Sequence, residues 1–119
     1  MKILLADDQT KVRFALRVLL EQQPEMRVIG ETADASGLLI QAQRDRPDLV
    51  LLDWELPGAN EVLVALRRLF PRMQILALGE QPETRPLALA AGVDGFVSKA
   101  NPPEQLLAVI RELVPHQSL

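Results

Sequence analysis

Five short apolar runs alternate with five stretches of helical periodicity along this chain, and few architectures satisfy that order. Alternation of strand and helix implies a parallel sheet with helices on both faces, because parallel neighbours need a crossover and the crossing helix buries its apolar stripe on the sheet. The strands read as 3–6, 27–31, 49–53, 74–78 and 95–97. The third, Leu-Val-Leu-Leu-Asp, is the most apolar, which predicts burial on both faces and a central position. A chain of 119 residues buries a continuous core without disulfides or a structural metal, and no internal linker or repeat divides it, so one domain over 1–119 is expected.

The helices announce themselves by spacing and by their stops. Val12, Ala15, Leu16, Leu19 and Leu20 form one face opposite a row of Arg13, Arg17 and Glu21, and Pro24 ends that helix. A second runs from Ser36, read as its N-cap, to Arg44, before Pro47-Asp48 turns the chain. Val62, Ala65, Leu66 and Leu69 mark the third, closed by Pro71. Pro82 and Pro86 confine the fourth to about 85–91, with Gly92 as a left-handed stop. The fifth opens at Asn101-Pro-Pro-Glu104, read as cap, first-turn proline and capping-box acid, and buries Leu106, Val109, Ile110 and Leu113.

The reactive inventory is narrow. There is no Cys and no Tyr, and the one histidine, His116, lies in the closing Pro-His-Gln-Ser-Leu. Thiol and zinc-finger chemistry are therefore excluded, and one histidine in the closing tail is a poor basis for serine–histidine chemistry. No apolar run approaches the roughly 18 residues of a membrane span, no secretory-signal pattern opens the sequence, and cytoplasm is the expected location. A net charge of -3 argues against direct nucleic acid binding through a broad basic surface.

Carboxylates and a lysine remain. The first apolar run ends in Asp7-Asp8 and the third in Asp53; if both are parallel strands, the three acids share the carboxyl rim where open α/β sheets bind ligands. One such acid alone is as well explained as a helix N-cap. Three together are not: unit charges about 4 Å apart repel by about 4 kcal/mol at an effective dielectric near 20, so the cluster must hold a cation or a proton. Magnesium (Mg2+), which prefers oxygen ligands and works with one or two carboxylates, fits so sparse a set. Lys99 follows the fifth strand and points from the same rim; a surface lysine is its ordinary reading, but the chain has only three lysines beside ten arginines. A point-like ammonium suits a phosphoryl oxygen.

Asp7-Asp8, Asp53 followed by Pro57-Gly58, the Ala-Ala-Gly-Val-Asp-Gly-Phe stretch from Ala90, and Lys99 together resemble the receiver domain of bacterial response regulators, the CheY-like fold, over essentially the whole chain. The ending Lys-Ala-Asn-Pro-Pro-Glu-Gln-Leu-Leu-Ala-Val-Ile-Arg looks most like NarL/FixJ-type receivers. The resemblance implies a doubly wound α/β fold with strand order 2-1-3-4-5. It implies that Asp53 accepts a phosphoryl group from a sensor histidine kinase. Asp7, Asp8, Asp53 and the backbone carbonyl of Glu55 would hold magnesium, with Asp7 acting through water, and Lys99 would bind a phosphoryl oxygen. Phe96 would be the aromatic of the switch, although core packing explains it equally well. The implied role is regulatory rather than enzymatic, with a homodimer and a C-terminal DNA-binding output domain as further implied partners.

The pattern fails at the end of the fourth strand. Receivers place Ser or Thr there, whereas this chain has Gly79, and residues 37–83 contain no Ser, Thr or Tyr. A Gly79 backbone amide would have to bind the phosphoryl group instead. The following loop is about two residues shorter than usual, and Glu61 replaces a common glycine. Metal binding and phosphorylation are thus expected to persist while coupling to the fourth-helix face is weakened. Two other readings stay open: a pseudo-receiver acting as a phosphorylation-independent interaction module, and an aspartate-nucleophile phosphatase, which would need a general acid at the place of Glu55.

Overall fold

In the computed structural model, which describes residues 1–115, five parallel strands form one sheet in the order β2-β1-β3-β4-β5. The strands are β1 (Lys2–Ala6), β2 (Arg27–Thr32), β3 (Leu49–Asp53), β4 (Gln74–Gly79) and β5 (Gly95–Ser98), each followed by a helix. The helices are α1 (Thr10–Glu21), α2 (Ala35–Asp45), α3 (Ala59–Leu69), α4 (Thr84–Ala91) and α5 (Pro103–Leu113). All of β3 is buried, as its continuous apolar run predicts for the middle strand. His116 lies outside the described residues.

Side chains alternate between the two faces with the period of a strand. Leu4, Ala6, Val50, Leu52, Ile75, Ala77 and Phe96 join the core beneath α2, α3 and α4. Ile3, Leu5, Leu49, Leu51, Leu76, Leu78 and Val97 join the second core beneath α1 and α5. The apolar strands therefore feed two layers at once, and the parallel order carries every strand's carboxyl end to one rim.

Several boundaries differ from the sequence reading for local reasons. Asp34, not Ser36, caps α2: its extended backbone lets Oδ1 accept the Gly37 amide at 2.6 Å, while Ser36 sits inside the first turn and donates its hydroxyl to the same oxygen. Asn101 does not cap α5, and no capping box forms; Pro102 occupies the cap position. A residue preceding proline is driven out of the helical region, and here that applies to both Asn101 and Pro102, so the helix starts at Pro103. In α1 only Leu20 is fully buried, and Ala15 is exposed. Gly92 takes φ +112° as the predicted left-handed stop of α4, and Gly58 takes φ +84° in the turn that opens α3.

Candidate functional site

The rim is assembled by adjacent strands. Ala6 of β1 pairs with Leu52 of β3, so the next residue of each strand, Asp7 and Asp53, emerges side by side. Backbone bonds fix the ends: Asp7 N–H donates to Thr32 O at 3.1 Å, Trp54 N–H to Leu78 O at 2.8 Å, and Lys99 N–H to Gly79 O at 2.7 Å. One oxygen of each buried acid is consumed locally. Asp7 Oδ1 accepts the Gln9 amide at 2.9 Å, and Asp53 Oδ1 accepts the Glu55 amide at 3.0 Å. Arg13 reaches back to hold the Asp7 carbonyl at 2.6 Å while pairing with Glu31 at 3.0 Å.

Both buried carboxyls also face Lys99. Asp7 is 1% and Asp53 3% exposed, so both carboxyls have left water. Lys99 Nζ lies 2.8 Å from Asp7 Oδ2 and 3.5 Å from Asp53 Oδ1. Beyond that ion pair with Lys99, buried Asp7 Oδ2 has no hydrogen-bond donor among the described residues. Asp7, Asp8 and Asp53 each offer an oxygen, and these oxygens all lie within 4.8 Å of one another. The donor set, all oxygen with two buried acids and one exposed, fits a hard dication.

Protonation follows from this crowding. Burial, then a hydrogen bond with the Glu55 carboxyl and the charge of Asp7, push Asp53 up to about 6 against the opposing pull of the Glu55 amide and Lys99. Burial disfavours the Lys99 ammonium, but its bond with Asp7 and the charges of Asp53, Asp7 and Glu80 outweigh that cost and raise its pKa. Without a metal, the pocket holds one ammonium and an acid that keeps its proton toward neutrality.

Gly79 lies at the same rim, but nothing there is vacant. A Cβ built on Gly79 would fall 2.6 and 2.7 Å from Cζ and Cε2 of Phe96, and 3.4 Å from the Thr84 Cβ. The Phe96 ring, 7% exposed, fills the volume a side chain at 79 would need. Glu55 turns its carboxylate across the opening, where Oε1 accepts the Glu80 amide at 3.2 Å. Beside Lys99, an apolar groove of about 360 Å³ runs between α1 and α5, floored by Leu16, Leu78 and Leu106.

A family model of the response regulator receiver domain matches residues 3–111. The chain belongs to that family. This receiver is 32% identical over 116 residues to the oxygen regulatory protein NreC of Staphylococcus epidermidis, which covers 93% of the chain and 53% of the relative. It is 33% identical over 114 residues to the nitrate/nitrite response regulator protein NarL of Escherichia coli, covering 92% and 53%. A solved two-component response regulator of the LuxR family from Aurantimonas sp. SI85-9A1 superposes with a TM-score of 0.87 at 30% identity, over 99% of this chain and 88% of that one. The receiver thus spans about half the length of the curated relatives it matches.

The receiver brings Asp7, Asp8, Asp53 and Lys99 together as the strand ends predict, with Glu55, Gly79 and Phe96 around them. Sequence reading missed three contributors. Helical spacing places Arg13 only in a polar row, yet it anchors the Asp7 carbonyl. The Glu55 side chain enters the sequence reading only at the general-acid place of a phosphatase, whereas here it reaches the Glu80 amide. Thr84, the first hydroxyl after the stretch that has none, lies next to Gly79.

Proposed function

We propose that this receiver accepts a phosphoryl group on Asp53 from a sensor histidine kinase, in a magnesium-dependent reaction, as the regulatory input of a two-component system in the cytoplasm. The observation that carries this reading is Asp53 itself, a carboxyl taken out of water with two further acids and one ammonium gathered around it. An Asp53 oxygen attacks the phosphorus of the phosphohistidine; the O–P bond forms, the P–N bond breaks, and the imidazole nitrogen leaves with the electron pair. Lys99 takes one equatorial oxygen, a point charge needing no planar match. Asp7, Asp8, Asp53 and the Glu55 carbonyl would hold magnesium, which supplies neutralisation of the oxygens as charge spreads over them. On the β4 side, the donor in place of a hydroxyl is the Glu80 backbone amide just past the strand end, Gly79 itself being paired with β5.

Residues 1–119 act in this reading as one receiver domain, with a DNA-binding output domain outside them, as the NarL-type resemblance suggests; homodimerisation belongs to the same expectation. Incubation with magnesium and acetyl phosphate should add one phosphoryl mass to the wild type and none to Asp53→Asn. No Asp53-dependent gain would end the proposal. A second reading, a receiver whose fold serves as a phosphorylation-independent interaction module, draws support from Phe96 already filling the space at Gly79. Its mark would be partner binding equally tight for wild type and Asp53→Asn.

A further inference from the structure

Glu55 does something in this pocket that its backbone carbonyl does not account for. The residue ties two loops together: its side-chain Oε1 accepts the Glu80 amide at 3.2 Å, and its own backbone amide donates to Asp53 Oδ1 at 3.0 Å. A carboxylate is thereby held between the proposed acceptor and the first amide beyond β4. A phosphoryl group carried by Asp53 would need that same volume and that same donor. The demand is sharpened here because Gly79 offers no hydroxyl and the Phe96 ring closes the space beside it. The Glu80 N–H follows directly from a strand end fixed by Trp54 N–H to Leu78 O and Lys99 N–H to Gly79 O.

We propose that the Glu55 carboxylate is a positioning residue that acts as a resident anion, latching the β4–α4 loop to the β3–α3 loop through the Glu80 amide and yielding that amide when a phosphoryl group arrives. The inference rests on the phosphoacceptor reading above. Two physical effects follow. The carboxylate keeps the Glu80 amide in place before phosphorylation, so the donor is already aimed into the pocket. Its negative charge also opposes the incoming anion, and like charges at this range disfavour each other even where water partly screens them.

The two effects separate by substitution. Glu55→Gln keeps an oxygen acceptor for the Glu80 amide but loses the charge; Glu55→Ala loses both. At saturating magnesium, both variants should bind beryllofluoride about three- to tenfold more tightly than wild type, read by Trp54 fluorescence. Hydrogen exchange of the Glu80 amide in the free protein should stay slow in Glu55→Gln and quicken severalfold in Glu55→Ala. Beryllofluoride should restore its protection in Glu55→Ala, since the anion then takes the amide.

Unchanged or weaker beryllofluoride binding in both variants overturns the repulsion, and equal Glu80 exchange in wild type and Glu55→Ala overturns the latch. If no protein binds beryllofluoride in an Asp53-dependent way, the phosphoacceptor reading has failed and the repulsion with it. The latch is then judged by the exchange measurement alone, which requires neither magnesium nor phosphate.

Discussion

Asp53 carries a pKa of about 6 because it is buried among acids, and that places a measurable strain on the fold. The native state keeps this proton to higher pH than the unfolded chain, whose carboxyl titrates near 3.8. Between about pH 4 and pH 6 the folded state therefore binds more protons, and stability falls as pH rises. Above that window the penalty is constant at about 2 to 3 kcal/mol. In magnesium-free buffer at pH 7, Asp53→Asn should be more stable than wild type by roughly that amount, and the gap should close by pH 4. Urea denaturation at both pH values checks this; an equal gap at both would deny the shift. Arg13 works at the same scale in the opposite direction. Only 15% of its side chain is exposed, and it joins the Asp7 carbonyl to Glu31. Arg13→Ala should cost about 1 to 2 kcal/mol by removing the donor to the Asp7 carbonyl, while Glu31 keeps its pair with Arg17, and should weaken the magnesium response of Trp54 fluorescence by loosening Asp7.

At the scale of elements, β4 and its neighbours decide what the pocket can transmit. Phe96 of β5 packs with Ala88 and Val93 of the α4 region and occupies the side-chain volume of Gly79. Gly79→Ser puts a Cβ 2.6 Å from the ring tip, so the ring must move or the strand must shift, at a cost of about 1 to 3 kcal/mol. Phe96→Leu on that background should recover part of the loss, a non-additivity that denaturation of the four proteins would measure. Equal, additive losses would mean that residue 79 and the ring do not compete for space. The opposite end of the same strand is held by Arg67 of α3, which donates to the Met73 and Gly92 carbonyls and pairs with Asp94. Asp94 also accepts the Ile75 amide at 2.7 Å. Asp94→Ala leaves the Ile75 amide without its acceptor and removes one of the three partners of Arg67, and should cost about 1 to 3 kcal/mol, visible as a lower urea midpoint with β4 amides exchanging faster.

For the molecule as a whole, what was legible in the sequence is what repeats. Apolar runs of strand length placed β3 in the middle, and the acids at the ends of β1 and β3 located one rim, because a parallel sheet has only one carboxyl edge. Helix starts were less legible, since Asp34, Ser36 and Asn101 are all competent caps and only backbone geometry selects among them. Contacts made by long side chains across loops, such as Arg13 to Asp7 and Glu55 to Glu80, leave no periodic trace. Those contacts set the balance between a well-filled core and a pocket that repels itself. Two tightly packed layers tolerate the acid cluster, and a dication would relieve it. Binding to the folded state alone adds RT ln(1 + [L]/Kd), about 1.4 kcal/mol at ten times Kd, which raises the melting temperature of a domain this size by several degrees. Magnesium should therefore raise Tm in a concentration-dependent way, EDTA should reverse it, and Asp8→Ala should flatten it. Asp53→Asn should also blunt the rise, since the amide is neutral and the repulsion it relieves is already gone. Calorimetry of the three proteins across a magnesium series decides the matter: a Tm that ignores magnesium in the wild type would remove the ion from this pocket, whatever its likeness to other receivers.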